Sequence, residues 1–212
     1  MTGRISLKLV DSWQDIAKDI NAEIAVEINK LVQKNFPRVI RTLKASVKAW
    51  VSAQPEIASL TSDGTPGSLN AQFGLIPGTS ASIVDDIVNA VADSVSFKFK
   101  PFNKNLRGTL ELHVQPKDFQ NVLSTASGTV VTRLGAQLDW LEWLLTRGDS
   151  IIIVGYHYAI DGEGRSGGGV MKKGGAFRVD PSFSGTLEDN FITRALDNRE
   201  KEVSNILESL FV

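Results

Sequence analysis

The strongest constraint on this chain is a helical repeat near its start. Between Asp11 and Asn35, apolar side chains fall at Ile16, Ile20, Ile24, Ile28, Leu31 and Val32, a spacing of four and three that keeps one face of an α-helix apolar. Asp11 or Ser12 supplies the cap, and Asp15 places negative charge in the first turn, where the helix dipole favours it. Asp15, Asp19, Glu23 and Glu27 follow at intervals of four as an acidic stripe. Phe36-Pro37 predicts a break, because the residue before proline is pushed away from α geometry and proline readily opens a new helix. A second helix is expected from about Pro37 to Ala53, with Val39, Ile40, Leu43, Val47, Trp50 and Val51 inward. Arg38, Arg41, Lys44 and Lys48 make a basic stripe that could meet the acidic one across a helical hairpin.

Residues 55–78 carry Asp-Gly and two Pro-Gly pairs, the signature of repeated turns. They read as a connecting loop docked through Leu60, Leu69, Phe73, Leu75 and Ile76. A helix capped by Ser80 or Ser82 should run to about Val91. Val95, Phe97 and Phe99 alternate with polar residues, as do Leu110, Leu112 and Val114, so strands at 94–100 and 109–114 should form a β-hairpin with a basic exposed tip, PFNKNLRG. Thr129 to Thr132 reads as a short strand, and Gln137 to Thr146 as an apolar helix closed at Arg147-Gly148. Ile151 to Tyr158, IIIVGYHY, reads as a central strand buried on both sides. Thr186 is expected to cap a helix with Asp189 at its third position, and residues 198–212 form a C-terminal helix. The fold expected is therefore α+β: a single domain over 1–212, with a helical N-terminal half, a mostly antiparallel sheet from about Ser94 to Val179, and C-terminal helices.

With 212 residues, 42% of them hydrophobic, the chain can bury a substantial core. The formal net charge of −1 provides no global field to recruit nucleic acid or membrane. The absence of cysteine removes disulfides, thiolate metal sites and cysteine nucleophiles. No stretch approaches the ~18 apolar residues of a membrane span, and the N-terminus lacks the pattern of a signal peptide, so synthesis in the cytoplasm and no membrane partner are expected.

The least conventional stretch is 161–175, DGEGRSGGGVMKKGG, in which seven of fifteen residues are glycine. Glycine has the most conformational freedom to lose on ordering, so the stretch is expected to be an extended arm or hairpin tip that a neighbour orders. Gly162, Gly164 and Gly167 match G-x-G-x-x-G, but no helical pattern follows to place an N-terminus against a pyrophosphate. His113 and His157 lack metal-ligand spacing. Ser166 lies outside a G-x-S-x-G elbow, and the acid pairs Asp139/Glu142 and Asp85/Asp86 read as solvated faces. No catalytic, cofactor or metal residues are assigned. Arg165, Lys172, Lys173 and Arg178 form a basic set on the arm, able to neutralise phosphate or carboxylate groups.

The segment GGAFRVDPSFSGTLEDNFITRAL, residues 174–196, resembles the C-terminal part of neck and tail-completion proteins of contractile-tailed bacteriophages. The N-terminal helix followed by PEIASLTSDGTPGSLNAQFGL is more loosely similar to head–tail joining proteins. The resemblance implies a non-enzymatic virion protein, made in the host cytoplasm, with no cofactor. It would form a homo-oligomeric, sixfold ring that joins the head (portal or adaptor) to tail-terminator or tube proteins around the DNA channel. A tail terminator or baseplate component is the alternative within that class. A nucleic-acid-binding module using the basic arm and a nucleotide-using enzyme are rivals from other classes. The expected interface residues are Arg165, Lys172, Lys173, Phe177 and Arg178, with Phe177 as apolar anchor and the basic residues engaging acidic neighbours or DNA.

Overall fold

A computed structural model describes residues 10–132 and 135–211. The N-terminal nine residues and Val212, on which the signal-peptide and C-terminal-helix readings partly rest, lie outside the described residues. With about 49% helix and 16% strand, in short antiparallel sheets flanked by helices, the protein is α+β.

One helix, α1 (Trp13–Ser52), replaces the two expected. Ser12 caps it by accepting the Asp15 N–H at 3.2 Å. Pro37 lies inside it. The missing N–H and the crowding of the Gln33 carbonyl are local penalties of roughly 3 kcal/mol, and tertiary packing on both sides overrides them. Val32 and Val39, flanking Pro37, are buried with Leu210 in a small cluster that also receives Phe36, Phe99 and Leu110. The acidic and basic stripes consequently lie along one rod and do not face each other. The basic half has other partners: Lys44 pairs with Asp93 at 2.8 Å, Lys48 donates to Asn89, and Arg38 donates to the Ser209 carbonyl.

Residues 55–78 contain two short helices, α2 (Pro55–Thr61) and α3 (Leu69–Phe73), where a loop was expected. Pro55 opens α2, Ser68 caps α3, and Gly74 closes it in the left-handed conformation (φ 62°). Leu60, Leu69, Phe73 and Leu75 are buried, whereas Ile76 is exposed. Helix α4 (Ser80–Asp93) buries Val84, Ile87, Val88 and Val91. The main core gathers Leu43, Val47, Val51, Leu60, Ile87 and Trp140 with their neighbours between the C-terminal half of α1 and the later helices.

Among the described residues the antiparallel strands form three separate two-stranded units. β1 (Ser96–Lys100) and β2 (Thr109–His113) pair in the expected hairpin, Phe97 opposite Leu112 and Phe99 opposite Leu110. Phe97 meets Phe36 of α1 edge-on at 5.5 Å. Asn29 of α1 accepts the Phe102 N–H and donates to its carbonyl, so the hairpin runs back along α1 toward the helix start. After a short helix α5 (Gln120–Leu123), β3 (Val130–Val131) pairs with β4 (Gln137–Leu138). Gln137 and Leu138 are thus strand, and helix α6 begins only at Trp140 (Trp140–Thr146). The third unit, β5 (Ile153–Ala159) with β6 (Val170–Phe177), corrects the expected central strand: Val154 is 79% exposed. A continuous β-branched run specifies β geometry, but burial depends on neighbours that a two-stranded unit does not have.

The helix expected at Thr186 begins later, as α7 (Phe191–Leu196), with Asn190 as cap. Thr186 instead accepts the Asp189 N–H in a local turn and bridges to Arg147. Asn190, 0% exposed, accepts the N–H groups of Ile192 and Thr193 and donates to the carbonyls of Leu145 and Thr186. Helix α8 (Glu200–Glu208) and a 3₁₀ turn (Ser209–Phe211) return to α1, where Trp50 donates to Glu202 and stacks under Arg199. No helix of the described residues is long and apolar enough to cross a membrane.

Two substitutions test these assignments by urea unfolding. Pro37→Ala restores a helical N–H and removes the ring clash, and is expected to stabilise the protein by about 1–3 kcal/mol. Asn190→Ala orphans buried donors and carbonyls together, and is expected to cost about 2–4 kcal/mol.

Candidate functional site

The glycine-rich residues form the turn and second strand of the β5–β6 hairpin. The tip, 160–169, is tied to its own chain. Tyr158 donates to the Gly168 carbonyl at 2.7 Å and accepts the Gly67 N–H at 3.0 Å. Ser166 is buried and donates to the Ala71 carbonyl. The Arg165 guanidinium donates to the carbonyls of Gly74 and Val131. Glycine is required where these segments meet: a Cβ on Gly168 would lie 2.7 Å from Ala71 Cβ, and one on Gly169 would overlap the Tyr158 ring. The entropy cost that suggested an arm or hairpin tip ordered by a neighbour is therefore met by contacts within the subunit, and the chain takes the hairpin form.

The hairpin base is equally fixed. Phe177 is 2% exposed, and its ring meets Phe73 edge-on at 6.5 Å. Its place in the subunit's own core corrects its expected role as an intersubunit anchor. Between tip and base the ladder slips at Gly155, and Gly155, Gly174 and Gly175 all have positive φ. Tyr156, His157, Lys172, Lys173 and Ala176 are all exposed there. The hairpin is thus a bridge held at both ends with solvent along its middle.

The basic set is largely paired. Lys172 reaches Asp161 at 2.8 Å, Arg178 reaches Asp149 at 3.0 Å, and Arg165 is used by the carbonyls above. The Lys173 backbone pairs with Tyr156 in the ladder, but its side chain has no hydrogen-bond or ion-pair partner among the described residues. The hydrogen bond from Lys172, together with its charge, lowers the Asp161 carboxyl below its usual 3.8.

The other sites considered from sequence stay apart. The segment after Gly167 enters β6, so no helix opens on the G-x-G-x-x-G glycines. His113 is exposed on β2, and His157 contacts the Gly174 carbonyl through Nδ1 at 2.9 Å. Asp139 accepts from Gln137, Glu142 pairs with Arg147, and Asp86 accepts from Ser127. Among the described residues no group of three or more His, Asp or Glu gathers as for a metal ion.

Two features were not singled out from sequence. The first four turns of α1 leave Trp13 77%, Ile20 55% and Ile24 41% exposed, although periodicity assigned Ile20 and Ile24 to a buried face. Periodicity identifies a face but not the length of chain available to cover it. The second is an open groove of about 1110 Å³ between α7 and the segment that leaves β2. Its wall includes Arg194, held by the fully buried Glu56 of α2 and by Asp189. No family model, curated protein or solved structure matches the chain in the comparisons made.

Phe177→Ala is expected to cost about 3–5 kcal/mol of unfolding free energy, whereas Lys173→Ala should stay within about 0.5 kcal/mol; chemical denaturation of both separates core from surface roles. Because the Asp161 value is lowered in the folded state, its contribution is present above the ordinary 3.8 and is lost as pH falls through the lowered folded value. An NMR titration should therefore show the Asp161 carboxyl protonating at lower pH than an unpaired aspartate, and Lys172→Ala should return it toward 3.8.

Proposed function

We propose that this chain is a non-enzymatic structural subunit of the bacteriophage neck, a virion protein that forms a homo-oligomeric, sixfold ring joining head to tail around the DNA channel. Its neighbours would be portal or adaptor proteins on one side and tail-terminator or tube proteins on the other. The observation that carries the proposal is the uncovered apolar start of α1. A helix whose Trp13, Ile20 and Ile24 face water is expected to be covered by another chain. Burying each would contribute about 1.5–3 kcal/mol, whereas the exposed ion pairs of the β5–β6 hairpin are screened by water and salt and contribute little. The helix start, more than Arg165, Lys172 or Arg178, therefore dominates assembly in this reading. The resemblance of residues 174–196 to neck and tail-completion proteins supplies the particle. The surface that covers the row differs from the row itself in a head-to-tail contact, the geometry that closes into rings.

Light scattering and negative-stain imaging of the purified protein test this directly. Rings are expected for the wild type, and Ile20→Asp with Ile24→Asp should yield smaller species that keep the wild-type far-UV circular dichroism. A wild-type protein that stays strictly monomeric and never enters particles would sink the proposal.

A further inference from the structure

The tip of the β1–β2 hairpin is built as a rigid plug. Asn103 organises it: its side-chain oxygen accepts the N–H groups of Asn105 and Arg107, its carbonyl accepts the Leu106 N–H, and its own N–H bonds to the Arg107 carbonyl. Asn29 clamps the adjoining Phe102 to α1. Leu106 sits at φ 55° and is 36% exposed. Left-handed geometry is unfavourable for a leucine, and here it accompanies an apolar side chain that is exposed to solvent. Lys104 and Arg107 flank it, and PFNKNLRG contains no carboxylate.

At the other end of the same hairpin, β2 leads into the groove. Pro116, Phe119, Leu187 and Ile192 give it an apolar lining, with Leu187 53% exposed. Arg194 is neutralised by Glu56 and Asp189, so the remaining charged lining residues, Glu188, Asp197 and Lys117, leave the groove net negative. The plug and the groove match in chemistry, an exposed leucine between two cations against an apolar floor with an acidic rim. Five paired residues separate them, roughly 17 Å of rigid strand, so a subunit cannot fill its own groove.

We propose that the β1–β2 tip of one copy docks in the groove of the next, Leu106 on the apolar floor with Lys104 and Arg107 toward Glu188 and Asp197. This contact rests on the ring reading above and specifies a head-to-tail junction for it. Two unlike surfaces at opposite ends of one element propagate from copy to copy and close when the rotation allows.

The lack of cysteine in the chain makes the test clean. Two single-cysteine proteins, Leu106→Cys and Leu187→Cys, are mixed under mild oxidation. The mixed disulfide should form faster than either homodimer by about tenfold or more, because docking raises the effective concentration of one thiol at the other. In parallel, Lys104→Glu with Arg107→Glu, and Glu188→Lys with Asp197→Lys, should each weaken assembly. The four changes in one chain should restore it. Leu106→Gly should weaken assembly while the subunit melts no lower, a separation that a purely structural tip would not give. If the wild type assembles while charge reversal leaves assembly intact and the mixed disulfide is not favoured, the contact is overturned and the ring reading stands. A monomeric wild type overturns the ring reading, and a mixed disulfide favoured in that protein still supports the contact.

Discussion

The structure depends on α1 remaining helical through Pro37. Val32 before the proline and Val39 after it meet Leu210 in one cluster, so the C-terminal turn returns to the point where the helix was expected to end. Phe36 and Asn29 before the proline hold the β1–β2 hairpin, and Leu43, Val47 and Val51 after it enter the main core, on which Phe97 and Leu112 of the hairpin also pack. Local geometry disfavours the helix at one residue, and packing on either side outweighs it.

A second tie crosses the main core. Glu56 at the start of α2 is fully buried and pairs with Arg194 of α7, with one of its carboxylate oxygens lacking a partner. Burying a charge is expensive unless it is well paired, so this pair fixes α7 relative to α2 more than it adds stability. Asn190 holds the same helix at its first turn by joining the Leu145 carbonyl to the α7 N–H groups. Together these residues set the wall of the groove in which Arg194 lies.

Elements with periodic apolar residues were legible in the sequence: the helices containing Val39, Leu43 and Val47 and Ile87 and Val91, and the hairpin carrying Phe97 and Leu112. What escaped was decided by partners distant in sequence. Pro37 obeys a local rule that Leu210, far along the chain, overrides. Ile151 to Tyr158 has the composition of a buried strand but contributes to a two-stranded unit that no further strand among the described residues extends. Asn190 caps α7 with Thr193 in place of the acidic third residue that made Thr186 attractive. Of the expected interface residues, Phe177 joined the core because Phe73 lies beneath it, and Arg165 serves carbonyls from two other segments. Neither contact has a short-range signal.

The glycine-rich hairpin changes meaning once both its ends are attached. Tyr158, Arg165 and Ser166 order the tip within the subunit, and Phe177 orders the base. The loss of backbone freedom therefore belongs to folding, and an approaching molecule meets an arch already in shape. Association through its solvated middle has the thermodynamics of rigid-body docking, with a small heat-capacity change, not those of a segment that folds as it binds.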